Sequence, residues 1–220
     1  LNNTTANENV AVGYNSAYSN TTGTRNISIG AYAYENSDTE SDNLAIGYEA
    51  MHTNTAGGTE NIAIGNYALD ALSSGDNNVA LGRNAGGQIT TAGQNVYVGN
   101  SAASGANVAG DYVTIVGYSA GVLNQVDSTV AVGSYAAAAN TTGANITAIG
   151  RNCLDANTTG SENTAVGSGA LGANTTGSRN LAIGVGAYNS SDTENDNCAV
   201  GYNALTTNTA GGNGNTAVGN

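Results

Sequence analysis

The sequence contains no proline, tryptophan, phenylalanine or lysine, and only one histidine, one methionine and two cysteines in 220 residues. Each absence excludes something. Without Trp or Phe, the bulky side chains that fill the thick core of an ordinary globule are missing. The interior is therefore expected to be thin and built from Ala, Val, Ile and Leu. Without Lys, the cations are Arg25, Arg83, Arg151 and Arg179, set against 16 acidic residues for a net charge of −12. Such a surface repels phosphate and anionic lipid, which excludes nucleic acid as a partner. No apolar run approaches the roughly 18 residues a spanning helix requires, so no membrane insertion by this segment is expected. The chain starts and stops inside a repeat, at Leu1 and Asn220, and reads as a piece of a longer protein.

What is present is repetition, carried by 32 glycines. An Asn, an apolar residue, a small residue, an apolar residue and a Gly recur along the chain. The marker Gly falls at positions 13, 30, 47, 65, 82, 99, 117, 133, 150, 167, 184, 201 and 219, in steps of 16 to 18 residues. No helical 3.6-residue pattern persists, so helix-pair repeats are excluded. Apolar residues alternate with a small one before each Gly, which predicts a short strand. A second short strand is expected after the Gly, where Ala recurs three residues on. A turn such as Asn157-Thr158-Thr159-Gly160-Ser161 then closes the unit. A longer echo, SDTESDNLAIGY from Ser37 and SDTENDNCAVGY from Ser191, marks a block duplication.

One such unit cannot bury its own apolar residues, but a stack of copies can. The pattern predicts an all-β parallel β-solenoid, a β-roll of about 13 coils of about 17 residues, occupying residues 1–220 as one repeat domain. Stacked coils would place Asn9, Asn26, Asn43, Asn61, Asn78, Asn95, Asn163, Asn180, Asn197 and Asn215 in one structural ladder. Val and Ile, at the first and third strand positions, are expected to fill the interior. The middle small residue would then point outward. A row of Ala11, Ala45, Ala63, Ala80, Ala131, Ala148, Ala165, Ala182, Ala199 and Ala217 on that side suggests a face buried against another chain.

Units such as NTAVGSGAL and NLAIGVGAY resemble the head repeats of trimeric autotransporter adhesins of the YadA type. They are also similar to runs in the tail fibres of bacterial viruses. The resemblance covers all thirteen units, although a unit of about 17 residues is longer than the family's. It implies a left-handed β-roll, assembled side by side as a homotrimer in an extracellular, cell-surface or virion fibre. On that basis the segment is expected to be a rigid, non-enzymatic shaft or head. It would present surfaces to a host, cell or matrix, with a cell-surface receptor or glycan as partner.

Few residues suggest chemistry. His52 reads as a solvated turn residue, and one isolated His builds no hydrolytic triad. Cys153 and Cys198 read as small buried hydrophobes, three coils and about 14 Å apart by strand spacing, too far for a disulfide. Asp38, Glu40 and Asp42, with their copies Asp192, Glu194 and Asp196, are candidate Ca²⁺ ligands by type. They lack the Gly-rich pattern of calcium-binding rolls. Tyr14, Tyr48, Tyr118 and Tyr202 follow the marker Gly directly and could meet sugars or partner surfaces, or pack on the next coil. A Thr column (Thr5, Thr22, Thr39, Thr91, Thr142, Thr159, Thr176, Thr193) raises an ice-binding solenoid as an alternative. Its paired threonines are adjacent, unlike the Thr-x-Thr of a flat ice-binding face. A further alternative is a non-catalytic part of a polysaccharide-cleaving tailspike, which rests on architecture alone.

Overall fold

The computed structural model describes residues 5–105, 110–190, 192–207 and 211–220. Two compact units divide the chain, Leu1–Tyr112 and Val113–Asn220. Each is a parallel β-solenoid, and together they hold thirteen coils with one three-residue strand apiece. The first contains β1 (Val10–Val12), β2 (Ile27–Ile29), β3 (Leu44–Ile46), β4 (Ile62–Ile64), β5 (Val79–Leu81) and β6 (Val96–Val98). The second contains β7 (Thr114–Val116), β8 (Val130–Val132), β9 (Thr147–Ile149), β10 (Thr164–Val166), β11 (Leu181–Ile183), β12 (Cys198–Val200) and β13 (Thr216–Val218). Within each unit every strand pairs in parallel with its chain neighbours, residue on equivalent residue, as Leu44 pairs with Ile62 and Thr164 with Leu181. No helix occurs among the described residues.

The marker Gly is required twice over. Its φ is near +135°, as at Gly65 and Gly167, a region closed to most side chains. A Cβ on Gly65 would also lie 2.5 Å from the carbonyl oxygen of Gly82, so the backbones of successive coils touch there.

The expected second strand does not form. After each marker Gly the chain instead places residues in the left-handed region two and four positions on, including Tyr32 (φ 59°), Tyr34 (φ 54°), Glu49 (φ 51°) and Met51 (φ 50°). In an extended strand, neighbouring side chains face opposite ways. Here the left-handed residues let neighbours face the same way. Ala50 and Met51, Ala68 and Leu69, and Ala170 and Leu171 are consecutive and fully buried. Each such non-Gly residue costs about 1–2 kcal/mol. Backbone bonds to the next coil offset that cost, such as Met51 N–H to the Ala68 carbonyl at 2.9 Å.

The direction of the strands is also the reverse of the expectation. The middle residue faces inward: Ala45, Ala63, Ala80, Ala131, Ala148, Ala165, Ala182 and Ala199 are all fully buried within their own coil stack. The flanking Val, Ile and Leu side chains face outward. Space explains the inversion. The interior must also hold the large residue four positions after the marker Gly, namely Tyr34, Met51, Leu69, Leu154, Leu171 or Tyr188, and the middle strand residue of those coils is small, Ala or, beside Tyr34, Ser28. Where the middle residue is large, the partner shrinks. Tyr97 is accommodated beside Gly86, whose added Cβ would come within 3.1 Å of its ring, and Ile115 beside Gly121, at 2.5 Å.

Candidate functional site

Three surfaces follow from this coil: the outward strand face, the turn edge, and the lateral face just after the marker Gly. The strand face carries the residues that were expected inside. Ile29, Ile64, Ile149 and Ile183 are 37–40% exposed, and none of the thirteen strands contains a charged residue. The alanine row proposed to face a partner is thus corrected. Eight of those alanines are sealed inside the chain's own coils. Ala11 and Ala217, in the first and last strands, are half-buried. A partner docking on this face would meet a column of Val, Ile and Leu beside a column in which Val, Ile and Leu are interrupted by Thr114, Thr147, Thr164, Cys198 and Thr216.

The Asn column works mainly through the backbone. The Asn61 main-chain N–H donates to Asn43 Oδ1 at 3.0 Å, and Asn78 N–H to Asn61 Oδ1 at 2.9 Å. The Nδ2 groups of Asn9, Asn26, Asn43, Asn61, Asn78, Asn163 and Asn180 each donate to a carbonyl in the next coil, as Asn61 to Gly75 at 2.8 Å and Asn163 to Gly177 at 2.7 Å. Amide-to-amide bonds occur too, such as Asn78 Nδ2 to Asn61 Oδ1 at 3.0 Å. Asn9, Asn26, Asn95, Asn180, Asn197 and Asn215 belong to the same array. A second ladder escaped the sequence reading. In the Asn-Thr-Thr-Gly turns, Asn140 donates to Asn124 Oδ1, Asn157 to Asn140 and Asn174 to Asn157, at 2.7–2.9 Å, all buried. Its signal was the constant first residue of that turn, which also clamps its own turn through the Gly carbonyl three residues on.

The acidic turns do not converge on a cation site. Glu40 is buried, with its carboxylate accepting the backbone amides of Asp38, Thr39 and Gly57 at 2.8, 3.0 and 3.1 Å. Asp42 is exposed and takes a bidentate pair from Arg25 at 2.5 and 2.6 Å, whose hydrogen bond holds it below the usual carboxylate range. Asp38 accepts the Thr21 hydroxyl. Asp192, Glu194 and Asp196 repeat this division with Thr175, with the amides of Asp192, Thr193 and Gly211, and with Arg179. The three carboxylates of each set are engaged separately, and no group of three metal-ligating side chains assembles among the described residues. Their alternation along the chain is what spreads them to different partners.

The paired threonines also divide. Thr141 and Thr158 donate their hydroxyls to the next coil's carbonyls at 2.8 and 3.0 Å, while Thr142 and Thr159 are exposed. The turn therefore offers one open Thr file, not the two that a Thr-x-Thr surface has.

The lateral face holds the aromatic residues. Tyr14, Tyr32, Tyr48 and Tyr67 stack edge to face on successive coils, with centroids 5.3–5.9 Å apart. Tyr118 and Tyr135 repeat the contact at 5.5 Å. Tyr202 stands exposed. Tyr48 is held protonated up to about 12 by its hydrogen bond to Glu49. His52 is not a solvated turn residue. Its Nε2 lies 3.0 Å from Glu35 and its Nδ1 3.9 Å from Asp70, forming a half-buried file across three coils. Burial raises the Asp70 carboxyl above its usual range.

Cys153 is buried, donates to the Ala165 carbonyl at 3.1 Å, and has its thiol pushed up to about 12 by burial. Cys198 occupies an outward strand position and is half-buried. Both are free thiols. No family model, curated protein or solved structure matches this chain.

Proposed function

We propose that this chain is a non-enzymatic structural segment of an extracellular fibre, either a bacterial surface adhesin or a viral tail fibre. Three copies assemble side by side through the strand face and hold their lateral faces outward for attachment to a host, cell or matrix. The observation that carries this reading is the uncharged strand face on a chain of net charge −12. A chain this acidic whose strands carry no charge has, on each unit, a surface available for association. Its third strand position is Val, Ile or Leu throughout, and its first is Val, Ile or Leu except at Thr114, Thr147, Thr164, Cys198 and Thr216; this apolar surface would gain about 25 cal/mol for each Å² removed from water. The file of tyrosines lies next to the strands, where amphipathic rings suit the rim of an interface or an attachment surface. The repeated Asn-x-Ala-Ile-Gly strand and its resemblance to adhesin heads supply the number three and the fibre setting.

The test is to place charge on that face. Ile46→Glu and Ile183→Glu should each dissociate the assembly to single chains by light scattering while the β-type circular dichroism is retained. Variants that keep the wild-type mass would remove the strand face as the contact.

A further inference from the structure

The lateral face is filled in one part of the chain and hollow in another. Two positions after the marker Gly stand Tyr32, Tyr67 and Tyr135; the same position is Gly169 and Gly186 after β10 and β11. Five positions after it stand Glu35, His52 and Asp70; there the later coils carry Asp155, Gly172 and Asn189. The missing side chains leave a depression of about 540 Å³ on the second unit, floored by Gly169 and Gly172 and walled by Arg151, Asn152, Asp155 and Asn189. That volume is within the range of small-ligand sites.

Asp155 caps its own turn, its carboxylate accepting the backbone amides of Asp155 and Ala156, while Arg151 keeps its donors for solvent. Arg25 and Arg179 each form a bidentate pair with an aspartate, whereas no carboxylate lies within 4.0 Å of the Arg151 guanidinium among the described residues. Asp155 shares the wall with Arg151 and is partly desolvated, which raises its carboxyl above the usual range.

We infer that this depression is a binding site for a neutral, hydroxyl-rich ring, a pyranose unit of a glycan. Each sugar hydroxyl both donates and accepts, so one ring can donate to Asp155 while accepting from Arg151 and the Asn189 amide. The walls carry one positive and one negative charge, and the chain as a whole disfavours anions. The glycine floor lets a ring approach the backbone. This inference deepens the reading of the segment as an attachment surface; it does not depend on how the copies associate.

Saturation-transfer NMR on the full chain, with a panel of free neutral hexoses and N-acetylhexosamines, tests the site. An array of the same sugars as glycan termini separates free from surface-linked ligand. Gly169→Tyr is the decisive variant. Gly169 has φ 67°, close to the 59–62° at which Tyr32, Tyr67 and Tyr135 occupy the same column. Its added Cβ would meet nothing nearer than Asn189 Oδ1 at 3.7 Å. The tyrosine should fill the depression in a folded protein and abolish saturation transfer. Asp155→Asn should weaken binding about tenfold through loss of a charge-assisted bond. No transfer to any sugar in the panel, or binding unchanged by Gly169→Tyr, overturns the site. Light scattering on the same samples separates this outcome from a failure of assembly, because Gly169 lies off the strand face.

Discussion

The duplicated blocks around β3 and β12, 154 residues apart, show what this coil holds constant and what it lets go. Inside, they share the same buried hydrogen bonds. Asn43 Nδ2 donates to the Tyr34 hydroxyl at 2.9 Å, and Asn197 Nδ2 to that of Tyr188 at 2.6 Å. Glu40 reaches the extra glycine of the next coil, Gly57, and Glu194 reaches Gly211. Outside, they part. Tyr32, Glu35, Glu49 and His52 in the first block stand where the second has Gly186, Asn189, Asn203 and Thr206. The buried polar network leaves no room for change, because each member is the partner of another in a low-dielectric interior. The lateral face has no such constraint and is where one block became a packed ionic and aromatic file and the other a hollow.

The strongest way to break this comparison is through the interior. Asn43→Ala and Asn197→Ala each strand a neighbouring backbone N–H and several acceptors. Each should cost about 3 kcal/mol or more, and by similar amounts, in urea unfolding. A large loss in one block and none in the other would show that the shared network is not equivalent.

Glu40→Gln and Glu194→Gln keep the shape but lose the charge-assisted bonds to three amides. About 1–2 kcal/mol in each block is expected by the same measurement.

The lateral face should respond unequally. His52→Thr removes the contacts to Glu35 and Asp70 and should cost about 0.5 kcal/mol. The reciprocal Thr206→His should change nothing measurable, because Asn189 stands where Glu35 does. Equal effects would erase the distinction drawn between the two faces.

The smallest effect belongs to the exposed pairs Arg25–Asp42 and Arg179–Asp196. The guanidinium lowers each aspartate below the ordinary value of 3.8. A depressed carboxylate contributes stability above its unfolded pKa and loses it as pH falls through the folded one. Arg25→Gln and Arg179→Gln should therefore slightly flatten the acid limb below pH 3.8 in both blocks. Full exposure keeps the change small and sensitive to salt.

Much of the fold was legible because it is periodic. The marker Gly positions located all thirteen strands and their in-register pairing. The facing of the strands was not legible. Alternation separates Ala63 from Ile62 and Ile64 without saying which set is inside. The answer lay in residues such as Leu69, which is fully buried in the same coil as Ala63 and fills the interior that Ile62 and Ile64 would otherwise occupy. The left-handed residues were hidden for a related reason. Tyr32, Tyr34 and Met51 are residue types that resist positive φ, so no turn signal marked them. Each set of three acidic residues looked like one cluster because its members are close in sequence. Glu40 turns beneath backbone amides while Asp42 pairs outward, and only coordinates separate them. The depression at Gly169 was invisible because it consists of side chains that are absent, measured against coils that have them.

The central claim is that the uncharged strand face is covered by further copies of the chain. Sedimentation equilibrium of the wild-type protein tests it most directly. The account predicts a single folded species of three chain masses, each 21.6 kDa. A stable, folded species of one chain mass at the same concentrations would contradict it.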